Sequence, residues 1–436
     1  MRLRDYRDCE ISGATPSARE AFERALSSHL GWRLGTEVRL EQALGEAPAF
    51  TMAHVLRAYL NLCSRDVARV RQARSAYERA SALPATPRER LHVAAIGAAL
   101  ADNFEAFRAL LHELLQRYPR DVLALQIGHA LDYVTGDIES MGTRTSEALP
   151  AWSQDVPGYH AVLAMHAFSL VECARYQEAI DQGLHSLELD PADARAHHAL
   201  THTYEMTGNS AGGELWMRKR LQFWAVDSIA ATHCWWHWAL FSIAEGELAR
   251  ALEIYDRHVR HGYSMEIADL IDASSLLWRI ELHHVDTGSR WLELAAAWKA
   301  HFDDGYCTFN DLHAMLAQVG ARDWSNANRL ENTLRRHQRL RTRYGQTTRR
   351  LGLPACRAII AYGRGDYGRA AQLLSALPSC ARRLGGSQAQ RHVLYVTLLD
   401  AVRLSRSAAA TTKYRPQRSN AKDHADLSAP APSRAR

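Results

Sequence analysis

The sequence predicts an all-α fold of stacked helical hairpins, and three observations predict it. Apolar residues recur at three- and four-residue spacing over most of the 436 residues, the signature of helices with one buried face. A 34-residue frame of small and aromatic residues returns in phase. No stretch alternates apolar and polar residues with the period of two that a half-buried strand requires.

The frame is clearest where Ala73, Tyr77 and Ala80 are followed, one unit later, by Phe104, Phe107, Leu111 and Leu114, with Pro119 closing that unit. Starting at His54, it begins again at Arg88 and Val122 without insertion, and after a slip it resumes at His160, Ala194 and Thr232. Tyr176, Ala179 and Pro191 mark the unit from His160. Gly208 stands at an inter-helix turn and Gly213 where a small residue lets two helices approach. A last copy holds Gly365, Tyr367, Ala370 and Pro378. These are the marks of tetratricopeptide (TPR) repeats, whose helix pairs bury their apolar faces only by stacking into a right-handed superhelix, or α-solenoid.

The expected organisation follows from this frame. Residues 1–53 cap the array, 54–265 form the repeats, and 266–350 form a helical insert outside the frame. Residues 351–404 add a final repeat and a capping helix. Residues 405–436, rich in Ala, Ser, Pro and Arg and nearly free of large apolar side chains, form a disordered basic tail. Of the net charge of +5, most belongs to that tail, where six Lys or Arg face two Asp after residue 406. The nearly neutral body argues against a polyanion-binding protein. The eight arginines of 329–350 carry one aromatic among them, Tyr344, and fit a solvated helix rather than a nucleic-acid surface.

Seven scattered cysteines with no CxxC suit a reducing compartment, and with no apolar leader at the N-terminus the expectation is a cytoplasmic protein. The uncharged run Ser228–Ala244 is 17 residues long, short of a membrane span. It is expected to be a buried helix.

Nucleotide-binding and hydrolase signatures (GxxxxGK[ST], GxGxxG after a strand, GxSxG, HExxH) are absent, but 14 of the 22 histidines fall between His160 and His313. Two HxxxH pairs stand out, His198 with His202 and His233 with His237. Residues four apart share a helix face, so each pair projects two imidazoles together. In the repeat frame Arg195, His198, His202 and Glu205 take the places that line the concave groove. His233 does so one unit later, while His237 is expected in the seam between helices. The expected function is therefore that of a TPR-type binding protein, its groove holding a peptide segment or small molecule. Arg195 would meet an anionic group, His198, His202 and Glu205 would give directional hydrogen bonds, and Trp235 or Trp236 apolar contact.

No catalytic residue is assigned from sequence. Two imidazoles and a carboxylate can also hold a divalent metal at about 2.0–2.2 Å, with His198, His202, Glu205 and His313 the candidate ligands and Asp272 a further one. The residues alone favour histidines that are structural or touch a ligand, with no cofactor. A metal-assisted hydrolase and a pure protein scaffold are the alternatives.

At these residues the chain resembles the tetratricopeptide repeat protein 38 family. The matching stretches are MHAFSLVE from Met165, HALTHTYEMTG from His198, HCWWHWALF from His233, ALEIYDRHV from Ala251, DLIDASSLLWRIEL from Asp269, RWLELA from Arg290, FNDLHAM from Phe309 and GGSQAQR from Gly385. The resemblance implies an all-helical repeat body with a shared inner groove, and a set of recurrent polar positions: His166, His198, His202, Glu205, His233, His237, Asp272, Asn310, Asp311 and His313. Where the family reads GGSHAQRD, this chain has Gln388 and His392. A shell that used those two positions would be altered here, since an amide is a poor metal ligand.

Overall fold

The computed structural model describes residues 3–375, 377 and 381–413; Pro378, Cys380 and residues 414–436 lie outside them. Among the described residues the chain is all-helical, and the only β-type pairings are two isolated bridges, Arg4 with Glu10 and Arg33 with Ser228. No described helix is long and apolar enough to cross a membrane.

Five of the six frame starts fall within one residue of a helix start, and the helix at the first begins three residues ahead of His54. Thr51–Leu62, Pro87–Leu100, Val122–Thr135, Tyr159–Glu172, Ala194–Met206 and Ala231–Ala244 are the first members of successive pairs. Local chemistry sets several of these starts. Thr86 and Glu89 form a reciprocal capping box, and Asp193 accepts from the amides of Arg195 and Ala196, satisfying donors that the first helical turn leaves free. Gly208 turns the chain at φ +69°, and a Cβ on Gly213 would lie 2.4 Å from the Phe241 ring, so that position tolerates no side chain.

Each first helix packs on its own second helix and, except for Pro87–Leu100, on the first helix of the next pair. This builds an inner row buried along nearly its whole length and an outer row buried on one stripe. From Ala194 to Thr203 every residue is buried, whereas Tyr176–Leu189 buries only Ala179, Gly183 and Ser186. The row continues through Ile267–Leu282, Thr308–Gly320 and Leu353–Gly363. The last helix, Gln388–Lys413, extends past residue 405, so residues 405–413 are helical rather than part of a disordered tail.

Chain segments from both ends cover the inner row. The loop Gly31–Gly35 is held by the Arg33–Ser228 bridge, and Arg33 donates to the carbonyls of Val226 and Phe223. From the other end, the turn ahead of the last helix is tied down by Gln390, whose amide donates to Asp272 (3.3 Å) and accepts from Tyr133 (2.6 Å). One apolar core runs through residues 11–165 and a second through 200–394. The histidine pairs lie at their junction.

Candidate metal centre

His198 and His202 project from Ala194–Met206, and His233 and His237 from Ala231–Ala244. The two helices pack against each other, so the pairs interlock with ring centroids 4.4 Å apart for His198 and His202, 4.8 Å for His233 and His237, and 4.3 Å for His202 and His237. Their outer nitrogens converge. His202 Nε2 is 3.0 Å from His198 Nε2 and 3.1 Å from His237 Nε2, and one ligand nitrogen from each of the four lies within 4.8 Å of all the others. No other comparable group of His, Cys, Asp or Glu occurs among the described residues.

Hydrogen bonds outside the ring of nitrogens set the tautomers. His233 Nδ1 donates to Asp272 (2.7 Å) and His237 Nδ1 to Glu205 (2.7 Å). Both rings therefore present a bare Nε2 lone pair inward, the arrangement in which a carboxylate orients a metal-binding imidazole. A ring nitrogen carries one proton or one lone pair in its plane. His202 Nε2 consequently cannot satisfy two imidazole nitrogens, and the Nδ1 atoms of His198 and His202 are buried with no hydrogen-bond partner at all.

The electrostatics agree. Burial, reinforced by the neighbouring histidines, holds His198, His202 and His237 well below the usual histidine range, so their rings are neutral at pH 7. Burial also pushes the Glu205 carboxyl up, although His202 and Arg279 oppose the shift. The walls are aromatic: Phe168 stacks on His198 (5.4 Å), Trp236 on His233 (5.2 Å), and Trp32 tilts against His198 (5.2 Å). His198 is 4% exposed and His202 and His237 are fully buried, whereas the side chains of His233 and Glu205 keep 19% and 17% of their exposure. Solvent reaches the cluster at that edge.

Several sequence expectations need correction. His237 points into the cluster rather than into a seam, because the crossing of the two helices brings the entire HxxxH face inward. Glu205 meets the cluster through His237 Nδ1, not as one of the converging ligands. His313 lies elsewhere, with Nδ1 on the Phe309 carbonyl (2.8 Å). The four-residue set is thus His198, His202, His233 and His237 rather than His198, His202, Glu205 and His313.

Arg195 does not face an open groove. It is buried, its Nε 3.3 Å from the Leu30 carbonyl and its guanidinium 4.4 Å over Trp32, and burial lowers its pKa to about 10. Trp235 stacks away from the cluster on His258 and Trp238, while Trp236 and Asp272 both touch His233. Asn310 donates to the Arg65 carbonyl, Asp311 accepts from Tyr344 (2.9 Å) and is pushed up to about 7 by burial, and His166 pairs with Thr145. Gln388 and His392 stand at the start of the last helix, and neither is among the four converging residues. The family departure there therefore leaves the four imidazoles intact, although His392 lies within electrostatic reach of Glu205.

Sequence reasoning missed Gln390, Tyr133 and Trp32, whereas the repeat frame places Phe168, the stacking wall of His198, on the groove side. Gln390 sits inside the GGSQAQR stretch already singled out. Tyr133 and Trp32 carry no local signal, since only the closure of the fold brings them in. No known family model matches the chain.

Proposed function

We propose that this protein binds a divalent first-row transition-metal ion at the four-histidine centre, carried in a TPR-like superhelix that resembles the tetratricopeptide repeat protein 38 family. One observation carries the proposal: three neutral imidazole nitrogens sit 3.0 and 3.1 Å apart with no hydrogen-bonding arrangement that satisfies them. A cation at their common point satisfies every lone pair, and the carboxylates of Asp272 and Glu205 behind the rings balance its charge.

Imidazole ligands suit zinc, copper, iron and nickel. At a metal–nitrogen distance of about 2.1 Å, nitrogens about 3.0–3.1 Å apart subtend roughly 90°, whereas a regular tetrahedron would spread them to about 3.4 Å. Angles near 90° favour an ion of higher coordination number, with room for an outside ligand at the His233 and Glu205 edge. A small molecule would therefore reach this site as a ligand to the ion rather than along an open groove. An ion so placed is a Lewis acid that activates water, which makes metal-assisted hydrolysis the reaction class to assay first.

Tag-free protein, stripped with chelator and titrated with Zn²⁺, Ni²⁺, Co²⁺ and Mn²⁺, is expected to take up one ion per chain and to retain it through gel filtration. His202→Gln/His237→Gln, checked for native circular dichroism, is expected to retain none. Wild-type protein that loses every ion on the column, or a double variant that retains the same amount, would overturn the proposal.

A further inference from the structure

Two adjoining cavities open on the far side of the inner row, between Phe104–Arg117 and Val122–Thr135 on one wall and residues 342–351 and 382–384 on the other. One, of about 250 Å³, is walled by Leu62, Val70, Leu100, Phe104, Leu131 and Val134. The other, of about 380 Å³, is lined by Arg108, Arg343, Arg350, Arg382 and Arg383, with only Asp137 and Glu139 as acidic residues. They share Thr135, Arg343, Thr347 and Arg383, so an apolar chamber leads directly into a basic one.

The arginines divide into two kinds. Arg108 is committed to Asp132 (2.9 Å), Asp137 (3.1 Å) and Thr135 (2.7 Å). Arg343 stands at the junction with its guanidinium 5.5 Å over Phe104 and one nitrogen on the Thr135 carbonyl (2.7 Å). The side chains of Arg350, Arg382 and Arg383 have no hydrogen-bond or ion-pair partner among the described residues. Their setting is nevertheless rigid on one side, because the Arg382–Gly386 turn is pressed onto Val134–Gly136. A Cβ on Gly136 would lie 1.8 Å from the Arg382 carbonyl oxygen, and one on Gly385 would lie 2.4 Å from that of Val134. Three exposed, unpaired guanidiniums at the mouth of an apolar chamber, two of them on a backbone turn packed against Val134–Gly136, suit an anion with an apolar body. Burial lowers the Arg343 guanidinium below its usual range although Asp102, which also lines the chamber and accepts from the Arg343 backbone amide (2.6 Å), opposes the shift.

We propose that this cleft binds a small amphiphilic anion, its apolar body in the chamber lined by Phe104 and Leu131 and its phosphate or carboxylate head among Arg343, Arg350, Arg382 and Arg383. The site is independent of the histidine centre. Isothermal titration of the full chain with octyl phosphate, octanoate, octanol and inorganic phosphate tests it. Saturable binding is expected for octyl phosphate or octanoate, the stronger of the two identifying the head, with octanol and inorganic phosphate each at least about tenfold weaker. Arg350→Ala/Arg383→Ala is expected to weaken that binding by about tenfold or more while leaving metal content and circular dichroism unchanged. Neither amphiphile binding below about 1 mM, an unchanged affinity in the variant, or inorganic phosphate or octanol matching the amphiphiles would overturn the proposal.

Discussion

Two of the buried histidine networks among the described residues are built to opposite standards. In the N-terminal half, His92 places Nδ1 against the Tyr59 hydroxyl (3.2 Å) and Nε2 on Asp121 (2.9 Å). Asp121 also takes Arg88 (2.5 Å), which reaches on to Asp5 (3.0 Å). The charges alternate. Burial alone would raise the Asp121 carboxyl, but Arg88 and His92 hold it well below its usual range. In the histidine centre, by contrast, like meets like: three Nε2 atoms crowd together so that His202 Nε2 can pair with only one of its two neighbours, and two Nδ1 atoms have no partner. A fully satisfied network fastens helices together, whereas an unsatisfied one at the same depth costs stability and calls for an ion. Burial and histidine count do not separate the two, but the pairing of individual atoms does.

The sharpest way to break this comparison is to damage the satisfied network. Asp121→Ala leaves Arg88 with one carboxylate fewer and His92 without its acceptor, and should cost about 3–5 kcal/mol in urea unfolding while leaving metal stoichiometry at its wild-type value. A metal-content loss in a variant that still folds would show that the two networks are not separate. At the centre, Asp272→Asn should do the reverse. It removes the carboxylate behind His233 and is expected to weaken metal binding about 10–100-fold, with a change in metal-free stability under about 1.5 kcal/mol.

Acidity separates the networks more gently. His198, His202 and His237, held below the usual range, His129 at about 3 and His313 at about 4 stay neutral when folded, but take up protons when unfolded below about pH 6.5. The unfolded state then binds more protons, so stability falls as pH falls. Metal-free protein should lose at least about 2 kcal/mol between pH 7 and pH 5. The Asp121 contribution, from a depressed carboxyl, should persist until pH drops below about 4. Unfolding curves that superimpose at pH 7 and 5 would contradict the neutral burial of these rings. The smallest effect is expected at Trp235, stacked on Trp238 and His258: Trp235→Phe should leave metal affinity within about twofold, in contrast to the aromatic at Trp236 that stacks directly on His233.

Much of this was legible in the residues. The positions of Ala73, Ala179 and Gly213 locate helices and their close approaches, and the spacing of His198 with His202 and of His233 with His237 gives the shared face. What periodicity does not carry is which faces meet when the array closes. Arg195 looked like a groove residue because the repeat frame knows nothing of the Gly31–Gly35 loop that lies over it. His313 looked like a ligand and His237 did not, for the same reason: the frame ranks positions within a unit, while convergence depends on the crossing of two particular helices. Asp272 was recognised as polar, but its role behind His233 rests on a contact across 39 positions.

The two segments that cover the inner row set an order of events during synthesis. Trp32 is made well before the four histidines and Gln390 well after them, yet both belong to the surroundings of one centre. A nascent chain arrested between His237 and the last helix holds all four imidazoles but lacks the amide that steadies Asp272. The surroundings of the centre are therefore complete only after the helix Gln388–Lys413 has been made, and an ion captured earlier would sit in a looser, more exchangeable setting.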